Sequence, residues 1–235
     1  MNNKNILVVG ASSGIGLALV KQLQAKGANV FTASRNHSEP LMATGLPFLS
    51  LDVTSDISAL EGFLPETLHG LVYAPGTINL KPITRLTEAD FTNDFQVNVV
   101  GAVKVIQASL KKLKAAGSSS VVLYSTVAAA VGMPFHASVA ASKAAIEGLA
   151  RSLASELASS KIRFNVVAPS LTDTPLAGTL LSTPEKREAS DKRHPLGRVG
   201  TPEELASISS FLLSDESSWI SGQTIGVDGG MSKLR

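Results

Sequence analysis

The first strand-to-helix turn of this chain is rich in glycine. An apolar run, Ile6 to Val9, leads into Gly10-Ala11-Ser12-Ser13-Gly14-Ile15-Gly16, and an amphipathic stretch follows. Glycine lets a chain turn sharply off a strand and lets the next helix pack close to the sheet. The free N–H groups at the helix start then point towards a bound phosphate, whose charge the helix dipole favours. The motif therefore predicts a nucleotide cofactor site, the alternative being a turn that only packs.

Strand and helix patterns alternate along the rest of the chain. Further strands are predicted at Asn29–Thr32, Pro47–Leu51, Gly70–Tyr73, Ser120–Tyr124, Ile162–Val167 and Thr224–Val227. Helices are predicted at Ile15–Lys26, Glu88–Ala115, Ala137–Ala158 and Pro202–Leu213. Short strands that are apolar on both faces and separated by helices indicate a parallel sheet. We therefore expect a single α/β domain over residues 1–235, a three-layer, doubly wound Rossmann-type fold.

Two segments interrupt this alternation. The stretch from Arg35 to Leu46 is too short for a full crossover helix, and we expect a loop or a helical stub there. The segment Leu176–Val199 contains Pro184, Pro195 and a charged middle, Glu185-Lys186-Arg187-Glu188. This composition predicts a mobile helical flap, at about residues 176–199, over the carboxyl ends of the strands, where such sheets bind ligands. The alternative is a surface excursion with no role in binding.

Composition excludes several classes of function. The net charge is +2, with no basic stripe interleaved with aromatics, so we expect neither a nucleic-acid nor a membrane partner. The chain has no cysteine, which excludes disulfides, thiol catalysis and thiolate metal sites, and we expect no bound metal. Because the first strand follows directly after Met1–Asn5, we expect no signal peptide, and no apolar run approaches the roughly 18 residues of a membrane span. These features predict a cytoplasmic protein.

Several motifs, in order along essentially the whole chain, resemble the short-chain dehydrogenase/reductase family. The loop Gly10–Gly16 is similar to the family's TGxxxGIG loop, and Lys143 to the lysine of its YxxxK motif. Asn98 matches the family's helix asparagine, Pro169–Pro175 resembles its PGxxxT segment, and Gln223–Gly230 its last strand and C-terminal turn. The resemblance implies hydride transfer between a nicotinamide dinucleotide and a small carbonyl or alcohol substrate.

The resemblance also assigns cofactor contacts residue by residue. Asp52 and Val53 stand where the family contacts adenine, and Ala74 and Gly76 resemble the end of its NNAG motif, from which Tyr73 departs. The family's PGxxxT segment, which Pro169–Pro175 resembles, holds the nicotinamide carboxamide. The expected cofactor-binding residues are Gly10, Ser12, Ser13, Gly14, Ile15, Gly16, Ser34, Arg35, Asp52, Val53, Ala74, Gly76, Lys143, Pro169, Thr172 and Thr174.

The end of the second strand bears on the choice of cofactor. Members that prefer NAD carry an acidic residue there, which accepts hydrogen bonds from the ribose 2′-OH. This chain has Ser34 followed by Arg35. A carboxylate would repel a 2′-phosphate, whereas an arginine pairs with it. We therefore expect NADP rather than NAD, the alternative being that Arg35 is merely solvated.

The tyrosine position of the YxxxK motif departs from the family. The tyrosine lies four residues before the lysine, one helical turn away on the same face, and here that position is Val139. In the family the tyrosine exchanges a proton with the substrate oxygen, which valine cannot do. The serine of the family's triad, thirteen residues before the tyrosine, corresponds to Thr126, with Ser125 beside it. Asn98, Thr126 and Lys143 thus keep three of four catalytic positions.

Three groups can replace the missing proton donor. His136 lies three residues before Val139, and because histidine is a common general acid it is a candidate for that role unless it only hydrogen-bonds locally. Lys143 itself is a second candidate, and a water held by Asn98 and Lys143 is a third. We count Asn98, Thr126, Lys143 and His136 as the candidate catalytic residues.

The main hypothesis is an NADP(H)-dependent oxidoreductase with an altered proton donor. A dinucleotide-binding sensor or scaffold without turnover is an alternative, and so is a non-redox enzyme on the same fold. We further expect a homodimer or homotetramer, because two long helices carry apolar residues on more than one face. These residues are Val99, Val103 and Ile106 on the first helix and Ile146, Leu149 and Leu153 on the second.

Overall fold

A computed structural model describes residues 1–234. Its strands are β1 (Asn5–Val9), β2 (Asn29–Ser34), β3 (Phe48–Ser50), β4 (Gly70–Tyr73), β5 (Ser119–Tyr124), β6 (Ile162–Pro169) and β7 (Thr224–Val227). They form one sheet in the order β3-β2-β1-β4-β5-β6-β7, and every pair is parallel. The chain winds outwards in both directions from β1 and β4, which confirms the predicted doubly wound fold.

Helices cover both faces of the sheet. They are α1 (Gly14–Ala25), α2 (Glu39–Met42), α3 (Ala59–Phe63), α4 (Glu88–Phe95), α5 (Gly101–Ala115), α6 (Ala137–Glu156), α7 (Pro184–Asp191) and α8 (Pro202–Leu213). The core on one face joins Leu7, Leu71 and Leu123 to residues of α3, α5 and α6. The core on the other joins Ile6 and Val72 to residues of α1 and α8. Successive strand residues point to opposite faces, so these apolar strands fill both cores.

The predicted long helix at Glu88–Ala115 is interrupted. A π-helical turn, Gln96–Val100, separates α4 from α5. Within it, the carbonyl of Val97 accepts a hydrogen bond from the Tyr73 hydroxyl (2.5 Å), and Gly101 leaves room for that hydroxyl because a Cβ there would collide with it. The turn carries Asn98, in keeping with the tendency of π turns to occur at functional sites.

Smaller differences concern short elements. The pattern analysis missed α3, which has five residues, and β2 continues to Ser34 rather than ending at Thr32. The stretch 35–46 holds only the four-residue α2, as expected. The segment 176–199 contains a 3₁₀ turn, Pro175–Leu181, and α7. None of the helices within residues 1–234 is both long enough and apolar enough to span a membrane.

Candidate functional site

The carboxyl edge of the sheet gathers the predicted site residues. The loops that leave β1, β3, β4, β5 and β6 carry the glycine motif, Asp52–Val53, Ala74–Gly76, Thr126 and the segment that follows Pro169. In a parallel sheet these loops meet at one edge, and ligands bind in the crevice where the winding reverses. Here the reversal lies between β1 and β4.

The glycine loop has a backbone that other residues would strain. Gly10 has a φ of +86°, and a Cβ there would lie 2.9 Å from the backbone nitrogen of Pro75. At Gly16 a Cβ would overlap the carbonyl of Gly10, so the start of α1 packs directly on the turn. These two glycines let α1 begin immediately beyond the strand.

The first turn of α1 suits a phosphate group. Its N-cap residue, Ser13, makes no side-chain capping bond, and the first turn contains no acidic residue. The first N–H groups of a helix have no intrahelical partner, and here no side chain caps them and no nearby carboxylate opposes an anion. The observed residues therefore fit the pyrophosphate of a dinucleotide.

A cavity of about 500 Å³ lies at this edge. It brings together the predicted residues Ile15, Ala74, Gly76, Thr126, His136, Val139, Lys143, Pro169, Thr172 and Thr174. The other predicted residues do not line it: Gly10, Ser12, Ser13, Gly14, Gly16, Ser34, Arg35, Asp52, Val53 and Asn98. Most of the latter belong to the β1, β2 and β3 loops, where the resemblance puts the phosphates and the adenosine half of a dinucleotide.

Lys143 is buried at the floor of the cavity. Its Nζ donates a hydrogen bond to the backbone carbonyl of Tyr124 (2.9 Å), and the residue is 7% exposed. Burial lowers the pKa of Lys143 to about 8, although the nearby carboxylate of Asp94 acts in the opposite direction. A lysine with this pKa is charged at neutral pH and can still give up its proton.

Asn98 leaves an oxygen free beside this lysine. Its Nδ2 donates to the hydroxyls of Ser142 (2.9 Å) and Thr77 (3.1 Å), while its buried Oδ1 has no partner within residues 1–234. A Cβ built on Gly76 would lie 3.3 Å from Lys143 Nζ and 3.6 Å from Asn98 Oδ1. The ammonium and the unpaired oxygen therefore both lie against the side of Gly76 that a Cβ would occupy.

The hydroxyl of Thr126 is better placed to meet a ligand than that of Ser125. Ser125 donates to Glu147 (2.7 Å), so its proton is already committed. Thr126 accepts from the N–H of Ala128 (3.3 Å) and lines the cavity, which leaves its own proton available to a ligand oxygen.

Val139 lies in the cavity wall one helical turn before Lys143, and it is 6% exposed. The chain has two tyrosines, and the hydroxyls of both are bonded elsewhere. That of Tyr73 binds the carbonyl of Val97, and that of Tyr124 binds Ser209 (2.5 Å). Burial raises the pKa of both tyrosines well above its usual value. Neither phenol can therefore act in place of the missing one at position 139.

His136 also lines the cavity. Its Nδ1 is 2.7 Å from the carbonyl of Pro134. A carbonyl only accepts, so Nδ1 carries the proton of the neutral ring and Nε2 is left as an acceptor. The local bond anticipated from the sequence is present, and it does not remove His136 from the cavity.

The β2 loop keeps Arg35 exposed. Ser34 is buried and donates to the carbonyl of Asn36 (2.9 Å), and no carboxylate pairs with Arg35 among residues 1–234. Asp52 accepts from the side chain and backbone of Thr54, and these hydrogen bonds lower the pKa of Asp52.

Sequence reasoning did not single out a polar pair beside the cavity. Ser170 lines it, and its hydroxyl is 2.9 Å from Nε2 of the buried His194. Ser170 lies within the segment that resembles PGxxxT, but no motif marked His194, because their contact depends on how the segment after α7 folds back onto β6.

Comparison with known proteins gives the family. Residues 10–232 match a family model described as enoyl-(acyl carrier protein) reductase. A tropinone reductase homolog from Arabidopsis thaliana is 34% identical over 246 aligned positions, which cover 99% of this chain and 94% of the relative. The chain belongs to the short-chain dehydrogenase/reductase family. It is accordingly an oxidoreductase, and the family binds nicotinamide dinucleotides and acts on small molecules.

Other relatives agree with this assignment. A 3-oxoacyl-[acyl-carrier-protein] reductase from Thermotoga maritima is 34% identical over 246 positions, covering 98% of each chain. The ligand-free structure of an aldohexose dehydrogenase from Thermoplasma acidophilum has a TM-score of 0.91 at 28% identity. That match covers 100% of this chain and 96% of the other. A short-chain dehydrogenase/reductase structure from Mycobacterium ulcerans also gives a TM-score of 0.91, at 29% identity and 100% and 92% coverage.

Proposed function

We propose that this protein is an NADP(H)-dependent short-chain dehydrogenase/reductase that works on a carbonyl or alcohol substrate without the family's tyrosine. The observation that carries the proposal is that Lys143 Nζ and Asn98 Oδ1 converge on Gly76, beside a cavity that Lys143, Thr126 and Val139 line. The family's lysine, asparagine and hydroxyl positions are kept, and a valine stands where the family has its tyrosine.

Each retained group has a role in this scheme. The bound nicotinamide supplies or accepts the hydride. The N–H groups at the start of α1 hold the pyrophosphate, Arg35 pairs with the 2′-phosphate, and Lys143 binds the nicotinamide ribose hydroxyls. The hydroxyl of Thr126 donates to the substrate oxygen and orients it. A proton donor other than tyrosine then protonates the substrate oxygen, which gives the alcohol.

The walls of the cavity indicate an apolar substrate. Leu80, Met133, Leu176 and Leu180 line it and suit the apolar body of a substrate, although the cations Lys186 and Arg193 line it as well. The Thermotoga relative is named as a 3-oxoacyl reductase, and a 3-oxoacyl group carries a ketone. We therefore favour ketones with an apolar body. Relatives named as reductases give no support to the alternative of a sensor or scaffold without turnover.

The segment 176–199 serves as a flap in this proposal. Leu176 and Leu180, before α7, and Lys186 and Arg193, within and after it, line the cavity. A segment that contributes one wall of the site and is joined through prolines can open for the substrate and then close over it.

Two measurements test the proposed function together. Purified protein is incubated with NADPH and a panel of apolar ketones while NADPH oxidation is followed, and NADPH and NADH affinities are titrated separately. We expect ketone-dependent oxidation that Lys143→Met removes and that Lys111→Met, an exposed lysine of α5, leaves unchanged. A folded wild-type protein that binds NADPH and oxidises none with any ketone would overturn the proposal.

A further inference from the structure

We propose that Ser170 and His194 form a proton relay that supplies the substrate oxygen in place of the missing tyrosine. This inference rests on the proposed function and assigns the donor which that proposal leaves open. Neither residue belongs to the candidate set that the sequence provides.

Ser170 and Thr126 follow the paired ends of neighbouring strands. The ladder of β5 and β6 ends with Tyr124 opposite Val167, so Thr126 and Pro169 each lie two residues beyond the last pair. Ser170 is the next residue after Pro169, and Thr126 and Ser170 both line the cavity that Lys143 and Val139 line.

The ring of His194 is fixed by two hydrogen bonds and is 3% exposed. Its Nδ1 is 2.8 Å from the carbonyl of Ser190, and its Nε2 is 2.9 Å from Ser170 Oγ. Since the carbonyl can only accept, Nδ1 carries a proton in every charge state of the ring. Neutral His194 therefore accepts the hydroxyl proton of Ser170. Protonated His194 donates to that oxygen and turns the hydroxyl proton towards the cavity.

An ionised carboxylate lies near this ring. Burial opposes ionisation of Asp228, but hydrogen bonds from Ser232 and Gly230 and the charge of His194 hold the pKa of Asp228 below its usual value. The charged groups around His194 are thus Asp228 on the C-terminal turn and Asp191 and Arg193 on its own segment, while β6 presents the neutral hydroxyl of Ser170.

The relay balances protons and electrons. In the reducing direction a bound NADPH would supply a hydride to the carbonyl carbon, and the electron pair of the C=O bond would pass to the oxygen. That oxygen takes the hydroxyl proton of Ser170 as the O–H bond of the serine breaks. Ser170 Oγ takes the proton of His194 Nε2, and the neutral ring regains a proton from water. Alcohol oxidation runs the same path backwards, with neutral His194 as the base.

A purely structural role for His194 predicts different results. The ring ties the segment after α7 to β6, so its loss could loosen the flap and raise KM for the substrate. A relay predicts instead that kcat falls while NADPH affinity and thermal stability stay close to those of the wild type. The pH dependence of kcat separates the two roles further, because turnover through a histidine acid requires the protonated ring and a structural tie does not.

The first experiment compares Ser170→Ala and His194→Asn with wild type on the best ketone of the panel. We expect kcat to fall about 10²-fold in each, with the double variant no worse, because the two groups act in series. The pH profile of kcat should change in both variants in the same way, because both lose the same proton path. His69→Asn, which alters a histidine at the amino end of the sheet, and Ser118→Ala, an exposed serine between α5 and β5, are the matched controls.

The second experiment asks whether a phenol replaces the relay. Val139→Tyr puts a hydroxyl one helical turn from Lys143, and we expect it to raise kcat of Ser170→Ala by at least about tenfold. A loosened flap would gain nothing from this phenol. Circular dichroism and NADPH titration check that the enlarged side chain has not disturbed the fold.

A third readout does not depend on turnover. Nitrogen NMR of the histidine rings should show His194 protonated on Nδ1 when neutral, and Ser170→Ala should change its titration while that of His69 stays the same. The relay is overturned if wild type turns over and Ser170→Ala and His194→Asn keep its kcat and pH profile, or if His194 is protonated on Nε2 when neutral. In either case the proposed function stands. A wild type without turnover overturns the proposed function and the relay with it.

Discussion

At the scale of single residues, the chemistry depends on which groups the chain keeps around Val139. Lys143, Asn98 and Thr126 follow from motif spacing, because each lies at a fixed distance along a helix or beyond a strand. Ser170 and His194 do not, because their hydrogen bond joins parts of the chain 24 residues apart through a fold that spacing alone does not give.

Arg35 should decide between the two dinucleotides. Arg35→Glu removes a cation next to the proposed 2′-phosphate and introduces repulsion, so NADPH affinity should fall by about 10²-fold or more while NADH affinity changes little. Isothermal titration with both cofactors measures this, with Arg85→Glu, on a different loop, as the control. An equal loss for NADPH and NADH would show that Arg35 does not contact the phosphate.

Lys143 should make cofactor binding depend on pH. Burial lowers its pKa to about 8, so the ammonium is present below that pH and is lost as pH rises through it. A charged hydrogen bond exceeds a neutral one by roughly 1 kcal/mol, so the Kd for NADPH should rise about fivefold above this pH. Lys143→Met should bind weakly with no such dependence. A wild-type Kd that stays constant through this range would contradict the assigned role.

At the scale of elements, the strands were predictable because they are short, apolar and flanked by turns. Gly70–Tyr73 and Thr224–Val227 have the predicted bounds, and both ends of α8 agree as well. The π turn at Gln96–Val100 was not predictable, because its sequence continues a helical pattern without glycine or proline. It depends on Tyr73, whose hydroxyl reaches Val97 from a different part of the chain.

Tyr73→Phe tests whether this turn positions Asn98. Loss of the hydroxyl leaves the carbonyl of Val97 without that partner, and we expect unfolding free energy to fall by about 1–3 kcal/mol. Turnover should fall as well, because Asn98 lies next to that carbonyl. Tyr124→Phe is the matched control, since it loses a bond to Ser209 on the other face of the sheet. Equal kcat in the two variants would show that the turn does not position Asn98 for catalysis.

At the scale of the whole molecule, the doubly wound sheet followed from the alternation of strands and helices. Its own packing covers part of the apolar surface that suggested self-association, because Val99, Ile106 and Ile146 lie in the core of the chain. The apolar side chains that stay exposed include Phe91 and Phe95 on α4, which are 38% and 46% exposed. The homodimer or homotetramer therefore stays a prediction that now points to α4 and its neighbours.

Light scattering with a surface variant checks that prediction. Wild type should be a dimer or tetramer at micromolar concentration, and Phe95→Lys should shift it towards monomer by at least about tenfold in Kd. Met42→Lys changes a side chain of similar exposure on α2 and should leave the assembly intact. A monomeric wild type would refute self-association, and an unchanged Phe95→Lys would place the interface elsewhere.

The central claim is that this protein transfers a hydride although position 139 is valine. The most direct measurement uses NADPH deuterated at the transferred position and follows the label into the product by mass spectrometry. The account predicts deuterium on the carbinol carbon of the alcohol with wild-type protein and none with Lys143→Met. A folded wild-type protein that binds NADPH but yields no labelled alcohol from any ketone of the panel would contradict it.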